Sequence, residues 1–414
     1  MRLIRRPPVR LAAARFSALL CSAAAEIEDT FLPGGSPLIR FTGRSVVDDA
    51  GHRSFDFPGS SIGVCIRGAT TVSAILHESG TNRYGVSLDG GKSWARTLNT
   101  TAGRHEYTVA ALSEDETHDI LVLKLTEACS RVYGCPWGDF GTATLEGLRL
   151  SPGASALPPR PPAWIVEEQP PHTSAKRPRR LEFIGDSITA GWAACAPASA
   201  TDDDACNAGA DVRASWAHLI ARQLGAEAHV IAWGGIGLVQ NDDAGTRPDG
   251  AAAPALWQRA LANDPGSKWD VTAWPPDAVV IHLGTNDLCC DAPVPNATFE
   301  QAYVDFVRRI VMERRTAEGP LAAVFLGCGP MGNSKGNKDH TGREGYFPVN
   351  IIQRVADAVN ASAGLEGIAH VLDFSAIMDE AGCVGGCRHP SEEAHARMAA
   401  RSTERIRAVL GWKE

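Results

Sequence analysis

Five short apolar runs separated by helical stretches constrain the second half of this chain more than any other feature. The stretch 212–224 has helical apolar spacing and ends at Gly225. Thr298 and Gln301 form a capping box for another helix, which reaches Arg315. Strands that alternate with helices predict a parallel sheet with helices on both faces. The apolar runs cover residues 181–184, 228–232, 278–283, 321–326 and 370–374.

The first half has a different pattern, in which short strands are broken by turns. Asp89-Gly90-Gly91 follows one of these strands and predicts a hairpin turn, because glycine accepts the positive φ that such turns require. This pattern predicts an all-β sandwich over residues 27–151. Representative strands are residues 61–66, 71–77, 84–88 and 120–125.

Proline pairs mark the boundary between the two halves. A proline-rich run resists both helix and central strand, because proline lacks an N–H and fixes its own φ. We therefore predict a linker over residues 152–178, followed by a second domain over residues 179–414. The pairs in the linker are Pro158-Pro159, Pro161-Pro162 and Pro170-Pro171.

The first 25 residues resemble a targeting segment. They contain five arginines and no acidic residue, and they finish in the short apolar stretch 16–25, which ends in three alanines. This pattern favours a secretory signal peptide over residues 1–25, with an organelle transit peptide as the alternative. The sequence therefore predicts a secreted protein.

Net charge and hydropathy exclude several kinds of partner. The formal net charge is -8. Nucleic acid and anionic membranes require clustered Lys and Arg, so we expect neither as a partner. No stretch after the first 25 residues approaches the roughly 20 continuous apolar residues of a membrane span. A neutral or weakly polar substrate fits this chain better.

The cysteine content favours disulfides. Eleven cysteines are many for a cytosolic enzyme, and loss of Cys21 with the first 25 residues would leave ten. Buried free thiols are the alternative interpretation. The local pairs to test first are Cys129 with Cys135, Cys195 with Cys206, and Cys383 with Cys387.

Glycine-rich and polar clusters follow the apolar runs where the strands should end. In an open parallel sheet the ligand crevice lies outside the carboxyl ends of the strands, so these clusters should meet at one edge. The clusters are Gly185-Asp186-Ser187-Ile188-Thr189, Trp233-Gly234-Gly235-Ile236-Gly237, Gly284-Thr285-Asn286-Asp287 and His389-Pro390.

The residue types in these clusters fit a nucleophile, a base and an oxyanion hole. A serine hydroxyl is a poor nucleophile until a base takes its proton, and a strand-to-helix turn exposes it near backbone N–H groups. Ser187 fits the nucleophile and His389 the general base. The predicted oxyanion donors are the main-chain amides of Ser187 and Gly235 and the side-chain amide of Asn286.

Each cluster also has a structural interpretation. Gly-Asp-Ser is a common turn, Asn286 fits an Asx-turn, and His389 precedes a proline at the first position of a predicted helix. The four clusters occur together in this order, each after a predicted strand. That combination favours the functional interpretation.

The clusters resemble the four blocks of the SGNH, or GDSL-type, hydrolase superfamily. The segments 230–237 and 284–287 and the sequence His389-Pro390-Ser391 resemble carbohydrate esterase family 2, and the stretch 77–90 resembles the N-terminal domain of that family. The resemblance implies an α/β protein with an SGNH (flavodoxin-like) three-layer α/β/α parallel-sheet domain, preceded by an all-β jelly-roll sandwich. It also implies an acetyl esterase for xylan, glucomannan or related polysaccharides, with no metal or organic cofactor.

One position departs from the superfamily pattern. An Asp usually stands two or three residues before the histidine and orients it, but Cys387 and Gly386 occupy those positions here. Either a carboxylate from elsewhere or a backbone carbonyl would have to hold the ring. The carboxylates nearest in sequence are Asp379, Glu380, Glu392 and Glu393.

Two other functions remain open at this point. Without the usual acid, the protein could bind acetylated glycan without turnover. A lipid-directed GDSL esterase would need a broad apolar trough. Trp192 and Trp233 flank the clusters and either stack on a sugar or pack in the core. The sequence does not identify the glycan, the hydroxyl that carries the acetyl group, or the oligomeric state.

Overall fold

The computed structural model of the protein describes most of the chain. Residues 1–25, Cys135 and residues 169–175 of the predicted linker lie outside the described part. The described residues are 31–113, 116–130, 138–168, 176–242, 249–288, 293–314, 321–331 and 349–413.

Short antiparallel strands form the first half of the chain. One sheet has the order β3-β4-β11-β6-β9, with β1 on β11; the other has the order β12-β5-β10-β7-β8, with β2 on β5. The strands are β1 (Phe31–Pro33), β2 (Arg40–Thr42), β3 (Val46–Val47), β4 (Arg53–Phe55), β5 (Ser61–Arg67), β6 (Thr71–Glu78), β7 (Arg83–Ser87), β8 (Arg96–Asn99), β9 (Gly103–Ala111), β10 (Thr117–Lys124), β11 (Ala143–Leu150) and β12 (Ser155–Leu157).

The two sheets share one apolar core. Alternate residues point to the same face of a strand, so Val64 and Ile66 of β5 enter this core together. Val72 and Leu76 of β6, from the other sheet, meet them there. The predicted turn after β7 is present, with Gly90 and Gly91 at φ +72° and +93°.

The proline-rich segment contributes strands of its own. β12 pairs with β5 at the edge of a sheet, beyond the predicted end of the first domain at Ser151. A second short strand, β13 (Glu167–Glu168), pairs with Pro178 and Arg177. Both strands are short and contain no proline, and the pairs Pro158-Pro159 and Pro161-Pro162 lie between them.

A parallel sheet organises the second half. Its strands are ordered β15-β14-β16-β17-β18, and every neighbouring pair is parallel. The strands are β14 (Arg177–Gly185), β15 (Ala226–Ala232), β16 (Ala278–His282), β17 (Ala323–Cys328) and β18 (Ala369–Asp373). The helices are α1 (Ser187–Ala190), α2 (Asp203–Ala208), α3 (Trp216–Gln223), α4 (Ala253–Leu256), α5 (Thr285–Leu288), α6 (Asn296–Glu313), α7 (Val349–Asn360) and α8 (Glu392–Leu410).

Apolar side chains cover both faces of this sheet. Ile184 and Ile281 join the core formed with α6 and α7. Phe183 and Val280, one residue earlier on each strand, join the core formed with α3 and α8. Successive residues of a strand point to opposite faces, which explains this division. None of the described helices is long and apolar enough to cross a membrane.

The predicted capping box of α6 is wrong. The helix begins at Asn296, with Pro295 at the N-cap position and no side-chain cap. Thr298 therefore lies within the first turn, where its hydroxyl is not at the position of a cap. Proline fixes its own φ at a value that suits entry into the helix, and the N-cap lies at Pro295, three residues before the predicted one at Thr298.

Buried polar contacts join the two halves. Arg44 of the first half donates to the Glu182 carboxylate at 2.9 Å and to the Arg259 carbonyl at 2.8 Å. Asp56 accepts from the Asn263 N–H at 3.0 Å. A buried charge is costly unless it is paired, so these contacts make separation of the halves unfavourable.

Candidate active site

Ser187 lies where the first parallel strand gives way to a helix. β14 ends at Gly185, and Ser187 is the first residue of α1. Asp186 caps this helix, and its Oδ1 accepts a hydrogen bond from the Ile188 N–H at 3.0 Å. The cap turns the chain, so Ser187 stays partly exposed at the carboxyl edge of the sheet.

His389 reaches Ser187 from the far end of the chain. It follows the short 3-10 turn Gly386–Arg388, which lies between β18 and α8. Its Nε2 is 2.9 Å from the Ser187 Oγ. The ring packs edge-on against Trp192, with 4.6 Å between the ring centroids. The predicted nucleophile and base are thus within hydrogen-bonding distance of each other.

A main-chain carbonyl holds the other nitrogen of the His389 ring. Nδ1 lies 3.1 Å from the Cys387 carbonyl oxygen. A carbonyl can only accept a hydrogen bond, so Nδ1 carries the proton and Nε2 is the acceptor that faces Ser187. Burial lowers the pKa of His389 to about 4, against the opposing effect of the Cys387 carbonyl. The ring is therefore neutral at neutral pH.

Three of the four carboxylates considered in place of the usual acid contact other side chains. The Glu392 Oε1 accepts a hydrogen bond from the Cys195 thiol at 2.9 Å. Glu380 forms ion pairs with Arg397 and Arg401. Glu393 also pairs with Arg397, at 2.8 Å. In the described part of the chain, the hydrogen bonds of the His389 ring go to the hydroxyl and the carbonyl given above. The geometry matches the backbone-carbonyl alternative that the sequence left open.

A disulfide between Cys206 and Cys387 ties the loop of His389 to α2. The two cysteines are 181 residues apart in sequence, and their Cα atoms are 6.3 Å apart. Cys387 and Arg388 have φ values of +49° and +59°, which are uncommon for residues with a side chain. The Cys387 N–H also donates to the Ala200 carbonyl at 2.8 Å. The disulfide and this hydrogen bond therefore both hold the turn that presents the Cys387 carbonyl.

Two of the predicted local disulfides are wrong. Cys195 and Cys383 are free, so neither Cys195–Cys206 nor Cys383–Cys387 forms. The 3-10 turn aims the Cys387 side chain at α2, away from its sequence neighbour. Cys129 is disulfide-bonded, but its predicted partner lies outside the described residues.

The predicted oxyanion donors lie at the ends of three neighbouring strands. Ser187 follows β14, Gly235 follows β15 and Asn286 follows β16. Gly235 has a φ of +73°. Asn286 is buried, and its Nδ2 donates to the Ile236 carbonyl at 2.8 Å. This bond joins the second and third clusters, so the donors share one edge of the sheet.

Asp287 has a structural role that the sequence interpretation did not assign. Its carboxylate accepts hydrogen bonds from the N–H groups of Leu238 at 2.8 Å, Val239 at 2.6 Å and Gln240 at 3.0 Å. Burial raises the pKa of Asp287, and these N–H groups oppose that effect. The residue holds the loop after β15 against α5. The only sign of this role in the sequence was the position of Asp287 in the cluster Gly284-Thr285-Asn286-Asp287.

Glu127 is a second residue that the sequence interpretation missed. It comes from the first half of the chain, three residues after β10, and is 1% exposed. Its Oε2 accepts a hydrogen bond from the Gly234 N–H, in the second cluster. No motif surrounds this residue in the sequence, so only the fold brings it to the site.

The other histidines near the site have local roles. The His395 Nδ1 accepts from the Trp216 N–H at 3.3 Å, and the His282 Nε2 donates to the Gly329 carbonyl. Burial lowers the pKa of His395 to about 3, so this ring stays neutral. These contacts give both histidines a structural role.

The flanking tryptophans are mostly buried. Trp233 is 1% exposed and belongs to the core, while Trp192 is 8% exposed and donates to Asn207 at 2.7 Å.

Asp202 caps α2 by accepting from the Ala205 N–H at 2.9 Å. Among the described residues, no group of three or more His, Cys, Asp or Glu has the arrangement of a metal site.

Two family models match this chain. Residues 183–397 match the GDSL-like Lipase/Acylhydrolase family, and residues 41–159 match the Carbohydrate esterase 2 N-terminal domain. The first match contains the predicted site residues Ser187, Gly235, Asn286 and His389. The second covers most of the antiparallel sheets.

Sequence relatives extend over both halves. Cellulase/esterase CelE of Acetivibrio thermocellus is 27% identical over 388 residues, which are 93% of this chain and 41% of CelE. This chain therefore spans less than half of that relative. An acetylxylan esterase / glucomannan deacetylase of Cellvibrio japonicus is 23% identical over 92% of this chain and 91% of its own length.

Solved structures show the same fold. A family two carbohydrate esterase from Clostridium thermocellum, in complex with cellohexaose, has a TM-score of 0.72 and 24% identity. The alignment covers 91% of this chain and 100% of that chain. A family two carbohydrate esterase from Cellvibrio japonicus also has a TM-score of 0.72, with 22% identity over 93% of this chain and 98% of its own.

Proposed function

The chain belongs to the GDSL-like lipase/acylhydrolase family, and on that premise we propose that it is a serine esterase that removes O-acetyl groups from carbohydrate. The observation that carries this proposal is the contact between the Ser187 Oγ and the His389 Nε2 at 2.9 Å. It is supported by the 3.1 Å contact between the far ring nitrogen and the Cys387 carbonyl. A hydroxyl, a neutral base and a group that orients the base are the parts that nucleophilic acyl transfer requires.

In the proposed first step, the Ser187 Oγ attacks the acetyl carbonyl carbon and His389 Nε2 takes the hydroxyl proton. The Cys387 carbonyl stabilises the resulting imidazolium by accepting from Nδ1–H. The tetrahedral intermediate then collapses, and His389 gives its proton to the departing sugar oxygen. The products of this step are the deacetylated hydroxyl and an acetyl ester of Ser187.

In the second step, water attacks the acetyl ester while His389 accepts one of its protons. Collapse of this intermediate returns that proton to the Ser187 oxygen and releases acetic acid. In both steps the carbonyl oxygen becomes negative. The Ser187 and Gly235 amides and the Asn286 Nδ2 are the proposed donors to it. No metal or organic cofactor enters this mechanism.

The low pKa of His389 determines the lowest pH at which the proposed reaction can proceed at its full rate. Protonation at Nε2 would remove the lone pair that accepts the serine proton. Since burial lowers the pKa of His389 to about 4, the base stays available at every pH above that value. We therefore expect a rise in rate with pH that is centred near pH 4.

The proposed substrate is acetylated oligo- or polysaccharide of the xylan or glucomannan type. This proposal rests on the Cellvibrio japonicus relative named as an acetylxylan esterase / glucomannan deacetylase, which aligns over 92% of this chain. The strand order of the parallel sheet and the cores on both of its faces support a flavodoxin-like three-layer domain. The two antiparallel sheets support a jelly roll.

We also propose that the protein is secreted. The Cys206–Cys387 disulfide supports this location, because disulfides persist in oxidising compartments. The predicted signal peptide over residues 1–25 lies outside the described residues and remains a prediction.

A panel of substrates tests the proposal. Acetate release from acetylated xylan and glucomannan is measured beside hydrolysis of 4-nitrophenyl acetate and of a long-chain 4-nitrophenyl ester. We expect turnover of both acetylated polysaccharides and of the short ester, with little turnover of the long one. Preference for the long chain would support a lipid esterase. Binding of acetylated glycan without acetate release would support a binding module.

Replacement of Asn286 by Ala should lower kcat by about 10²- to 10³-fold and change KM much less. The oxyanion exists only after attack, so a donor to it stabilises the transition state more than the bound ester. Initial rates with 4-nitrophenyl acetate separate the two constants. The matched control is Asn360→Ala, which removes two 2.9 Å contacts with the Ala369 backbone far from the site. An Asn286→Ala enzyme with wild-type kcat would assign the oxyanion donors elsewhere.

Removal of the Cys206–Cys387 disulfide should weaken both stability and catalysis. In Cys206→Ser/Cys387→Ser we expect unfolding to become about 2–5 kcal/mol easier, because a long chain segment is no longer closed in the unfolded state. We also expect a fall in kcat, since the turn that offers the Cys387 carbonyl to His389 loses its tether. Thermal denaturation and kcat for 4-nitrophenyl acetate provide the two readouts. Cys195→Ser is the control, because Cys195 is free.

An unchanged melting temperature and kcat in the double variant would show that the tether is not needed. If Cys195→Ser destabilises the protein as strongly as the double variant, the pairing suggested by sequence spacing would be the relevant one in solution.

A further inference from the structure

A carboxylate from the first half of the chain contacts the loop that carries one proposed oxyanion donor. Glu127 follows the end of β10 by three residues, and its Oε2 accepts a hydrogen bond from the Gly234 N–H. Gly235, whose amide is the proposed donor, is the next residue. The side chain is fully enclosed, with an exposed fraction of 1% for the residue. The contact therefore bridges the two halves beside the proposed catalytic centre.

This contact holds the N–H of Gly234, which lies inside a turn closed by the Ile236 N–H and the Trp233 carbonyl at 3.3 Å. Beyond Gly234, the Asp242 N–H donates to the Gly235 carbonyl at 2.9 Å, and the Asn286 Nδ2 donates to the Ile236 carbonyl at 2.8 Å. Both of those anchors come from the second half. Two consecutive glycines have wide conformational freedom, so the direction of the next N–H depends on what fixes the first peptide.

The charges around Glu127 make the contact sensitive to pH near neutrality. Burial raises the pKa of Glu127 to about 7, while the Gly234 N–H and Lys124 oppose that rise and Asp186 adds to it. The Lys124 Nζ donates to the Thr126 and Glu127 carbonyls at 2.8 Å each. Burial lowers the pKa of Lys124 to about 8. An ionised carboxylate accepts a stronger hydrogen bond than a protonated one.

We infer that Glu127 is a positioning residue for the proposed reaction: its carboxylate fixes the Gly234 peptide and thereby aims the Gly235 N–H at the oxyanion. The inference rests on the proposed function. It makes the first half a working part of the catalytic centre, because an oxyanion donor acts only when it is already aimed at the developing charge.

The pH dependence of kcat/KM, which reports ionisations of the free enzyme, tests this role. Acetate release is measured from pH 3 to pH 9 for the wild type, Glu127→Gln and Glu127→Ala. The wild type should rise in two steps, centred near the pKa values of about 4 for His389 and about 7 for Glu127. Glu127→Gln should keep the first step and lose the second. At pH 8, Glu127→Ala should fall by about 10- to 100-fold in kcat, less than the loss of a whole donor.

The KM values and a matched variant separate positioning from general stability. KM should change much less than kcat in both variants, and Gln should restore part of the rate because its amide oxygen can accept from Gly234. Glu78→Gln is the control: Glu78 is also buried and acts on Lys124, but it binds Asn82 and Tyr84. This control should keep both steps even if its melting temperature falls.

Several results would overturn the inference. A wild-type profile with a single step near pH 4 needs no variant and would exclude a role for Glu127 ionisation. A second step that persists in Glu127→Gln would belong to another group, such as Lys124. A faster Glu127→Gln enzyme would show that the charge opposes the oxyanion. Ser187→Ala is measured in parallel: an inactive wild type contradicts the proposed function, whereas an active wild type with unaffected Glu127 variants contradicts only the positioning role.

Discussion

Ser187→Ala is expected to lose about 10⁴- to 10⁶-fold in kcat for ester hydrolysis while its fold stays unchanged. The proposed reaction passes through a covalent acetyl ester of this hydroxyl, so no residual group can replace the step. The side chain is partly exposed, and its hydroxyl contacts the His389 ring. Removing one oxygen there should change the free energy of unfolding by less than about 1 kcal/mol. Initial rates with 4-nitrophenyl acetate and thermal denaturation measure the two effects.

Ser215→Ala provides the matched comparison. The Ser215 hydroxyl caps α3, accepting from the Ala217 N–H, and donates to the Thr189 carbonyl at 2.7 Å. Its loss should cost about 1 kcal/mol of stability and leave kcat close to that of the wild type. The two variants should therefore show opposite patterns of stability and activity. A well-folded Ser187→Ala protein with wild-type turnover would refute the nucleophile assignment.

The expected loss in Ser187→Ala also distinguishes chemistry from binding. If the protein only holds acetylated glycan, the hydroxyl is one polar contact among several, and its removal weakens binding modestly. If the protein turns the ester over, binding should persist while acetate release stops. Isothermal titration with acetylated xylan fragments, run on the Ser187→Ala variant, measures the retained binding directly.

Hydrophobic periodicity carried most of the fold prediction. The apolar runs of the second half overlap β14 to β18, because a strand covered on both faces is largely apolar. The clusters after three neighbouring strands meet because parallel strands end at the same edge. The predicted start of α6 was wrong because Pro295 and Thr298 are both residue types that commonly begin a helix. Only the backbone conformation distinguishes between them.

The remaining features of the site depend on tertiary structure. Cys206 pairs with a residue 181 positions away, and sequence spacing favours near neighbours instead. Glu127 contacts the Gly234 N–H from the first half of the chain and belongs to no motif. The group that holds His389 is a main-chain carbonyl, which every residue possesses. Such a group leaves no mark in the sequence, so its role was one of two open alternatives.

The orientation of His389 by a carbonyl changes what is expected of the nearby carboxylates. In a triad, a buried carboxylate both fixes the tautomer and stabilises the imidazolium by its charge. A carbonyl fixes the tautomer equally well but contributes only a dipole. The surrounding acids should therefore be dispensable. Glu380 is engaged by Arg397 and Arg401, so its charge is already compensated.

His389→Ala is accordingly expected to lower kcat by about 10³- to 10⁵-fold, whereas Glu380→Gln and Asp379→Asn should change it by less than about threefold. Without the imidazole, the Ser187 hydroxyl has no acceptor for its proton.

Added imidazole should restore part of the rate in His389→Ala but none in Ser187→Ala, because only the first variant retains the nucleophile. The variant that combines Ser187→Ala with His389→Ala should be no slower than Ser187→Ala alone, since the two groups act as one unit. Rates with 4-nitrophenyl acetate, corrected for the background hydrolysis by imidazole, measure all of these effects. A loss of orders of magnitude in Glu380→Gln or Asp379→Asn would mean that a carboxylate orients the ring during turnover, and the carbonyl would then lose its proposed role.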